Sequence, residues 1–329
     1  MNILIAGELV IPAGLYGGAE RVVWSLAKEL QAMGHRVSFL VKEGSSCPFA
    51  EIIVFDSERD ISVQIPAETD IAHFHSDPTQ PIELPRVVTR HGNRNNPALE
   101  SDRNTVFVSE NHARRHGSRS YVYNGLDWSE YRKPDLRNER QFFHFLGKAL
   151  WRVKNVRGAI KVARKAGEGL KVLGGSRWNL GRPRFALVTP HLSVSFEGMV
   201  DNDRKGYFLN ESKGLIFPVR WHEPFGLAIS ESLYFGCPVF GTPYGSLPEL
   251  VGEEFGFLSA SSSELAKAVR EAGQYSRERC HEYARDCFNS KVMARQYLER
   301  YERVMNGESL NDEQPRLVDY REERFLRFE

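Results

Sequence analysis

Short apolar runs alternate with stretches of helical period along the chain, and this alternation begins a second time near its middle. Runs of a few Val, Ile, Leu and Phe residues, apolar on both faces, mark parallel strands covered by helices on each side. The first half offers such runs at 3–6, 37–41, 71–74, 87–89 and 106–108. Between the first two, Val22, Val23, Leu26, Ala27, Leu30 and Met33 recur at helical spacing, and Gly34 stands where a C-terminal cap belongs. The second half restarts with a strand at 142–146, a helix over about 155–166 and a strand at 170–175. It continues with strands at 194–196, 215–217 and 239–240 and helices over 226–235 and 262–272. At 329 residues the chain has room for two domains with separate cores. The predicted class is α/β, with two Rossmann-like domains facing across a cleft.

The turn-forming cluster Asn124-Gly125-Leu126-Asp127 and the charged segment from Tyr131 to Arg140 predict a join and a hinge. The domains are then 1–127 and 128–305, with a charged tail, 306–329, expected to pack back on the first. Within 277–305, Asn289-Ser290 reads as the N-cap of a restarted helix. With 44 basic and 43 acidic residues the net charge is +1, which argues against a dedicated nucleic-acid binder. The four cysteines, at 47, 237, 280 and 287, lack Cys-x-x-Cys spacing and suit a reducing compartment. The opening Met1-Asn-Ile-Leu-Ile-Ala-Gly reads as a strand rather than a secretory leader, and no run approaches the roughly 18 apolar residues of a membrane span. A cytoplasmic protein is expected, with peripheral attachment to the inner face of the membrane left open.

Three loops could carry chemistry. Gly14-Leu-Tyr-Gly-Gly18 joins a strand to a helix, and its glycines would let backbone N–H groups approach a phosphate; a plain tight turn fits equally. Gly147-Lys148-Ala-Leu-Trp-Arg152-Val-Lys154 crowds three cations into one strand-to-helix loop, as a diphosphate site or as a solvated basic loop. In Trp221-His222-Glu223-Pro-Phe-Gly-Leu-Ala-Ile-Ser-Glu231, Glu223 stands at the mouth of a helix and Glu231 about two turns inside. Glu231 could accept hydrogen bonds from a ribose diol if that helix lines a cleft, or be an ordinary surface glutamate.

Taken together, Gly17-Gly18-Ala-Glu20, the 147–154 loop, Leu173-Gly-Gly175, Glu223-x7-Glu231, Gly236-Cys-Pro-Val239 and Leu247-Pro-Glu249 resemble the retaining glycosyltransferases of family 4 over roughly residues 1–305. The resemblance implies the GT-B fold and transfer of a sugar from a nucleotide diphosphate sugar, by family frequency a UDP-sugar, to an acceptor hydroxyl. It implies that Lys148 and Lys154 neutralise the diphosphate and that Glu231 binds the ribose. Glu223 and the backbone of Phe225, Gly226 and Leu227 would contact the donor sugar or its phosphate, and Gly17 and Gly18 would lie near the phosphates. His91, ending Val87-Val-Thr-Arg-His91, would touch the transferred sugar, and Val200 would face the nucleobase. His91, Glu223 and Lys154 are the expected catalytic residues. The acceptor would be a carbohydrate, a lipid-linked molecule or a small molecule, and no metal or other cofactor is required. Other activities on this architecture are a nucleotide-sugar epimerase, a phosphorylase or a non-catalytic nucleotide-sugar-binding subunit.

This sequence departs from the family pattern at three places. Lys148 stands where arginine is usual, replacing a bidentate fork by a point charge. Trp221-His222 precedes Glu223 where small hydroxyl residues are typical, and the first domain is short. Asp201-Asn-Asp203 and His73-x-His75 have the look of metal ligands, but sequence positions no further ligand beside either. The segment His112-Ala-Arg-Arg-His116-Gly-Ser-Arg119, with Arg90, Arg94 and Arg103, forms a basic group that reads as a solvated face or as a contact for anionic lipid or an acceptor phosphate.

Overall fold

The computed structural model describes residues 1–14, 17–78, 80–176, 193–320, 323 and 325–329. The chain forms two compact units: Met1–Asp127 with Phe288–Tyr320, and Trp128–Cys287 with the last residues of the chain.

The first unit is laid on β1 (Asn2–Ala6), β2 (Arg36–Val41), β3 (Glu51–Val54), β4 (Ile71–Phe74), β5 (Arg86–Arg90) and β6 (Thr105–Phe107), with helices α1 (Gly18–Ala32) and α2 (Glu110–Arg115). The sheet order is β3-β2-β1-β4-β5-β6 and every pairing is parallel. This is the doubly wound Rossmann order, in which the chain reverses direction beside the first strand and leaves a crevice at the carboxyl ends. Strand β1 is buried on both faces from Ile3 to Ala6, as a central parallel strand must be. Val22, Val23, Leu26, Ala27 and Leu30 are the buried stripe of α1, and Gly34 follows its last turn with φ 89°.

The second unit has β7 (Phe142–Leu146), β8 (Leu170–Leu173), β9 (Val194–Phe196), β10 (Ser212–Phe217), β11 (Val239–Gly241) and β12 (Gly256–Leu258). Its helices are α3 (Val156–Ala166), α4 (Asn202–Asn210), α5 (Leu227–Tyr234), α6 (Leu247–Leu250), α7 (Ser262–Arg270) and α8 (Arg277–Cys287). Its order, β12-β11-β10-β7-β8-β9, is again all parallel and repeats the first sheet's order when counted from β7. Edge strands β3 and β12 are absent from the sequence-based set. Glu51, Val54 and Phe257 are exposed, so neither gives a continuous apolar run, whereas the other two edges, β6 and β9, were expected at 106–108 and 194–196 and β6 is buried throughout.

The last helix, α9 (Ser290–Met305), begins at the expected cap, where the Asn289 side chain accepts from Val292 N. Sequence reasoning ran the second domain to 305 while expecting the terminal helix to pack back on the first; α9 belongs to the first unit and packs on α1 and β5. Its Tyr297 hydroxyl meets Thr89 Oγ1 at 2.8 Å and its Tyr301 hydroxyl meets His73 Nδ1 at 2.7 Å, all buried. An amphipathic period shows that a helix covers a sheet without saying which sheet. From the tail, Pro315 accepts from Ser101 N and Asn311 Nδ2 donates to Thr105 O within the first unit. The final residues instead hydrogen-bond in the second, Leu326 N to Arg220 O and Glu329 N to Ala260 O.

The expected hinge segment is not a free linker. Arg140 is buried in the second unit and donates to the carbonyls of Leu209, Ser212, Asp135 and Phe235. Arg132 pairs with Asp203. The break between units therefore falls at Asp127, ahead of the charged run.

Candidate active site

In the second unit, the loop after β7 is held by the glycines after β8. Ala149 N donates to Gly174 O at 2.9 Å, and a Cβ on Gly174 would lie 2.2 Å from Gly147 O, so only glycine permits this approach. Lys148 is half-buried, its Nζ 5.1 Å from the Trp151 ring. A 3-10 turn, Arg152–Lys154, then leads to Asn155, whose side chain caps α3 by accepting from Gly158 N and donates to Pro218 O.

That turn sends Lys154 inward, where it is 8% exposed. Its Nζ reaches both oxygens of Glu223, at 2.8 and 2.6 Å, and lies over the rings of Phe217 and Trp221. Trp221 Nε1 donates to Glu223 Oε2 at 2.8 Å, so the tryptophan that stands where small hydroxyl residues are typical clamps the carboxylate. Glu223 is 5% exposed. Its backbone is pinned by Ser246 N, which donates to Glu223 O, while Ser246 Oγ donates to Phe225 O. A buried ion pair pays heavily in lost hydration, and it persists only where further hydrogen bonds complete it, as the indole does here.

Glu223, Pro224 and Phe225 lead to Gly226, which opens α5 with φ 86° and no side-chain cap. An uncapped first turn, starting at Leu227, presents N–H groups to an anion. Glu231 lies further along the same helix, 4% exposed. The Tyr131 hydroxyl donates to its Oε1 at 2.7 Å, and the buried ammonium of Lys205 pairs with the same oxygen while also donating to Asn202 Oδ1 at 3.0 Å. Neither Tyr131 nor Lys205 was legible as a site residue: one lies in the segment read as a linker, the other 26 positions from its partner. Val200 is buried just before Asp201, which caps α4 by accepting from Arg204 N. The Asp-x-Asp spacing thus has local duties, a cap and the Arg132 pair, and no group of three or more His, Cys, Asp or Glu among the described residues is placed to hold a metal ion.

The remaining site residues belong to the first unit. Gly17 and Gly18 begin α1, again without a side-chain cap; Leu15 and Tyr16 of that loop lie outside the described residues. His91, just beyond β5, shares a 2.8 Å hydrogen bond between its Nε2 and His75 Nδ1, with the rings stacked 5.1 Å apart. His75 in turn packs against His73, the rings tilted by 34° at 4.2 Å between centroids, and His73 Nε2 meets Thr89 Oγ1 at 2.7 Å. Burial pushes His73 down to about 3 and, with Arg90 nearby, His91 down to about 4; it holds His75 well below the usual imidazole range. All three rings are therefore neutral at pH 7, the state in which one imidazole can donate to another.

The basic group of the first unit is largely spent internally. Arg90 and Arg94 converge on Asp77, Arg103 holds the carbonyl of Asp312, and Arg115 pairs with Asp319 at 3.5 Å. His112 and His116 are buried rather than surface cations, and desolvation pushes His116 down to about 4.

Residues 128–286, almost the whole of the second unit, match the family model for glycosyl transferases, group 1. Over this stretch the chain is similar to group 1 glycosyl transferases. Lys148, Lys154, Val200, Glu223 and Glu231 all fall inside the matched residues. No curated protein matches the chain significantly in sequence. Among solved structures, AviGT4, a glycosyltransferase involved in avilamycin A biosynthesis, is similar at 21% identity, with 93% of this chain and 98% of that chain covered and a TM-score of 0.75. Sucrose-phosphate synthase from Thermosynechococcus elongatus is similar at 17% identity, 93% and 99% coverage and a TM-score of 0.69. HepE from Anabaena, solved with UDP-glucose, is similar at 16% identity, 92% and 99% coverage and a TM-score of 0.65. At such identities the likeness is one of fold, and the fold is GT-B: two Rossmann-like domains, each on a six-stranded parallel sheet. Among the described residues no helix is long and apolar enough to cross a membrane.

Proposed function

We propose that this chain is a retaining, family 4 glycosyltransferase that moves a hexose-type unit from a UDP-sugar to an acceptor hydroxyl in glycan or glycoconjugate synthesis. The observation that carries the reading is the buried Lys154–Glu223 pair beside the uncapped start of α5, inside the residues matched by the group 1 family model. A donor diphosphate entering there gives Lys154 a second anion to serve, with Lys148 and the N–H groups of α5 completing the charge balance. Glu223, released in part from the lysine, then accepts hydrogen bonds from the transferred sugar. Glu231 accepts from the ribose hydroxyls, with Tyr131 and Lys205 fixing its carboxylate. His91, neutral and oriented by His75, is a hydrogen-bonding group for the sugar near its reacting carbon.

In a front-face path, one of the two routes that retain configuration, the bond from the anomeric carbon to the diphosphate breaks and the acceptor oxygen bonds to that carbon from the same face. The charge left on the diphosphate is stabilised by the two lysines and the helix N–H groups, and its oxygen takes the acceptor's proton. The UDP-glucose held by the similar HepE supports uridine as the base. The four free cysteines suit a cytoplasmic enzyme, which needs no metal for this chemistry.

A melting-temperature panel of uridine, guanosine and adenosine diphosphate sugars tests the reading. A uridine carrier raises the midpoint, and Glu231→Gln removes most of that rise. No shift with any carrier would overturn donor binding. NMR of the product's anomeric configuration then tests retention, and a product lacking a new glycosidic bond would favour an epimerase or a phosphorylase.

A further inference from the structure

Two hydrogen bonds repeat between neighbouring strands at the same separation of 16 residues: His73 Nε2 with Thr89 Oγ1 at 2.7 Å, and His75 Nδ1 with His91 Nε2 at 2.8 Å. Parallel pairing sets this up. His73 lies opposite Val87 in the β4–β5 ladder, and residues two apart on a strand share a face, so the second bond follows the first past the carboxyl edge of the sheet. His75 N donates to Ala6 O at 2.8 Å, which carries the pairing with β1 one step beyond Phe74. His73 is satisfied on both sides, since the Tyr301 hydroxyl meets its Nδ1 at 2.7 Å. His75 is not: it is buried, and its Nε2 meets no polar group among the described residues. His91 is half-buried, and among the described residues its ring bonds to His75 alone, so Nδ1 is the nitrogen left for a ligand.

Both rings are neutral at pH 7, so each carries one N–H and a single proton lies between Nδ1 of His75 and Nε2 of His91. Its position decides what His91 shows a ligand. If His91 donates, the N–H of His75 falls on the buried Nε2, with no acceptor in reach, and His91 Nδ1 is a bare lone pair. If His75 donates, its buried Nε2 is bare and the proton of His91 falls on Nδ1. Folded proteins leave a buried N–H without an acceptor less often than they leave an acceptor without a donor.

We infer that His75 is the donor in this pair and holds His91 in the Nδ1–H form, which offers a ligand a hydrogen-bond donor and no acceptor. The ligand group that fits is an oxygen able to accept, on the sugar or on the departing phosphate; in naming that ligand the inference rests on the reading of His91 as a contact of the transferred sugar. In this form His91 has no lone pair toward the ligand and cannot serve as a base there. His75 is a positioning residue, acting on the ligand only through His91. Histidine in water favours the Nε2–H form, so two adjoining Nδ1–H rings are a product of this packing rather than a default.

Nitrogen-15 NMR of the full chain labelled at histidine reads the proton positions, because protonated and bare ring nitrogens differ widely in chemical shift. Comparison with His75→Asn and His91→Asn assigns the two rings. At pH 7 both Nδ1 atoms should carry the proton and both Nε2 atoms should be bare; a proton on Nε2 of His91 overturns the inference. In His75→Leu, with melting curves confirming the fold, His91 should move to the Nε2–H form, and a ring that stays Nδ1–H would show that His75 does not set it. His75→Leu should lower kcat at least tenfold with the donor KM within threefold, and His75→Asn, whose amide can replace the ring N–H, should restore most of kcat. Equal losses in the two variants would overturn the donor role. The proton positions are read without any ligand, so a failure of the nucleotide-sugar reading in the melting panel leaves this test standing.

Discussion

Replacing Lys154 by methionine removes one charge from a pair that the fold has taken out of water. Glu223 stays 5% exposed, keeps the indole hydrogen bond at 2.8 Å and loses both contacts to the ammonium. Stranding one partner of a buried pair costs about 3–5 kcal/mol, whereas removing both charges is often close to neutral. Lys154→Met should therefore destabilise the second unit by about that much, and adding Glu223→Gln should restore most of it. With a urea slope of about 2–3 kcal/mol per molar, the single variant loses about 1–2 M in midpoint. Trp128, Trp151 and Trp221 lie in the second unit and Trp24 in the first, so a Trp24→Phe background makes tryptophan fluorescence follow the relevant transition even if the two units unfold separately. Turnover should behave differently: it stays depressed by about two to three orders of magnitude in the double variant, because the restored fold still lacks the cation for the leaving diphosphate. A midpoint shift below about 0.3 M for Lys154→Met, or a double variant no more stable than the single, would refute the assignment of Lys154 and Glu223 as a coupled buried pair. Replacing Lys154 by alanine carries the same stability cost.

Gly245→Ala should damage the site from behind: its Cβ would lie 2.1 Å from Glu223 N, at a backbone φ of 66°, and neither backbone can yield. Expect a loss of at least about 3 kcal/mol in urea titration; an unchanged midpoint would mean that the Gly245–Glu223 contact is not made. Around Glu231, Tyr131→Phe should cost about 1.5–3 kcal/mol, the worth of one hydrogen bond to a charged group, and Lys205→Met should cost more because it strands the carboxylate. The reverse ranking in urea titration would reassign the two partners. His73 and His144, one in each unit, are buried and neutral, and desolvation puts both at about 3 against about 6.5 in the unfolded chain. Above about pH 6.5 neither state binds the extra proton, so the pair has no effect. Below it the unfolded chain protonates first, and stability falls by about 1.4 kcal/mol per pH unit for each histidine until about pH 3. Urea midpoints measured at pH 7.5 and pH 5 should therefore differ clearly, and equal midpoints would contradict the burial. His75→Leu should leave donor binding intact while lowering kcat, since His91 loses its 2.8 Å partner; an unaltered kcat would remove His75 as a positioning residue.

The central strands of both sheets, β1, β2, β4 and β5 in the first and β7, β8 and β10 in the second, were legible because burial on both faces leaves a continuous apolar run. So were the caps Gly34 and Asn289, whose residue types follow from local backbone needs. The edges β3 and β12 were not, since half-exposed strands carry mixed residues. For the site, the spacing that sets Glu223 just ahead of a short helix and Glu231 within it could be read from the sequence, as could the cationic loop before α3. What each carboxylate touches could not.

Residue type and period act within a few positions of one another, and they determined that this chain makes two parallel α/β sheets with glycine-bearing loops before helices. Contacts between distant positions decided the rest. Lys154 meets Glu223 and Trp221 because a 3-10 turn and the strand end after β10 converge on one spot, and Lys205 and Tyr131 meet Glu231 because their segments fold over α5. Helix α9 covers the first sheet rather than the second because Tyr297 and Tyr301 complete the hydrogen bonds of buried Thr89 and His73. Such pairings depend on which polar groups are left without water when the chain closes, and only the closed chain settles that.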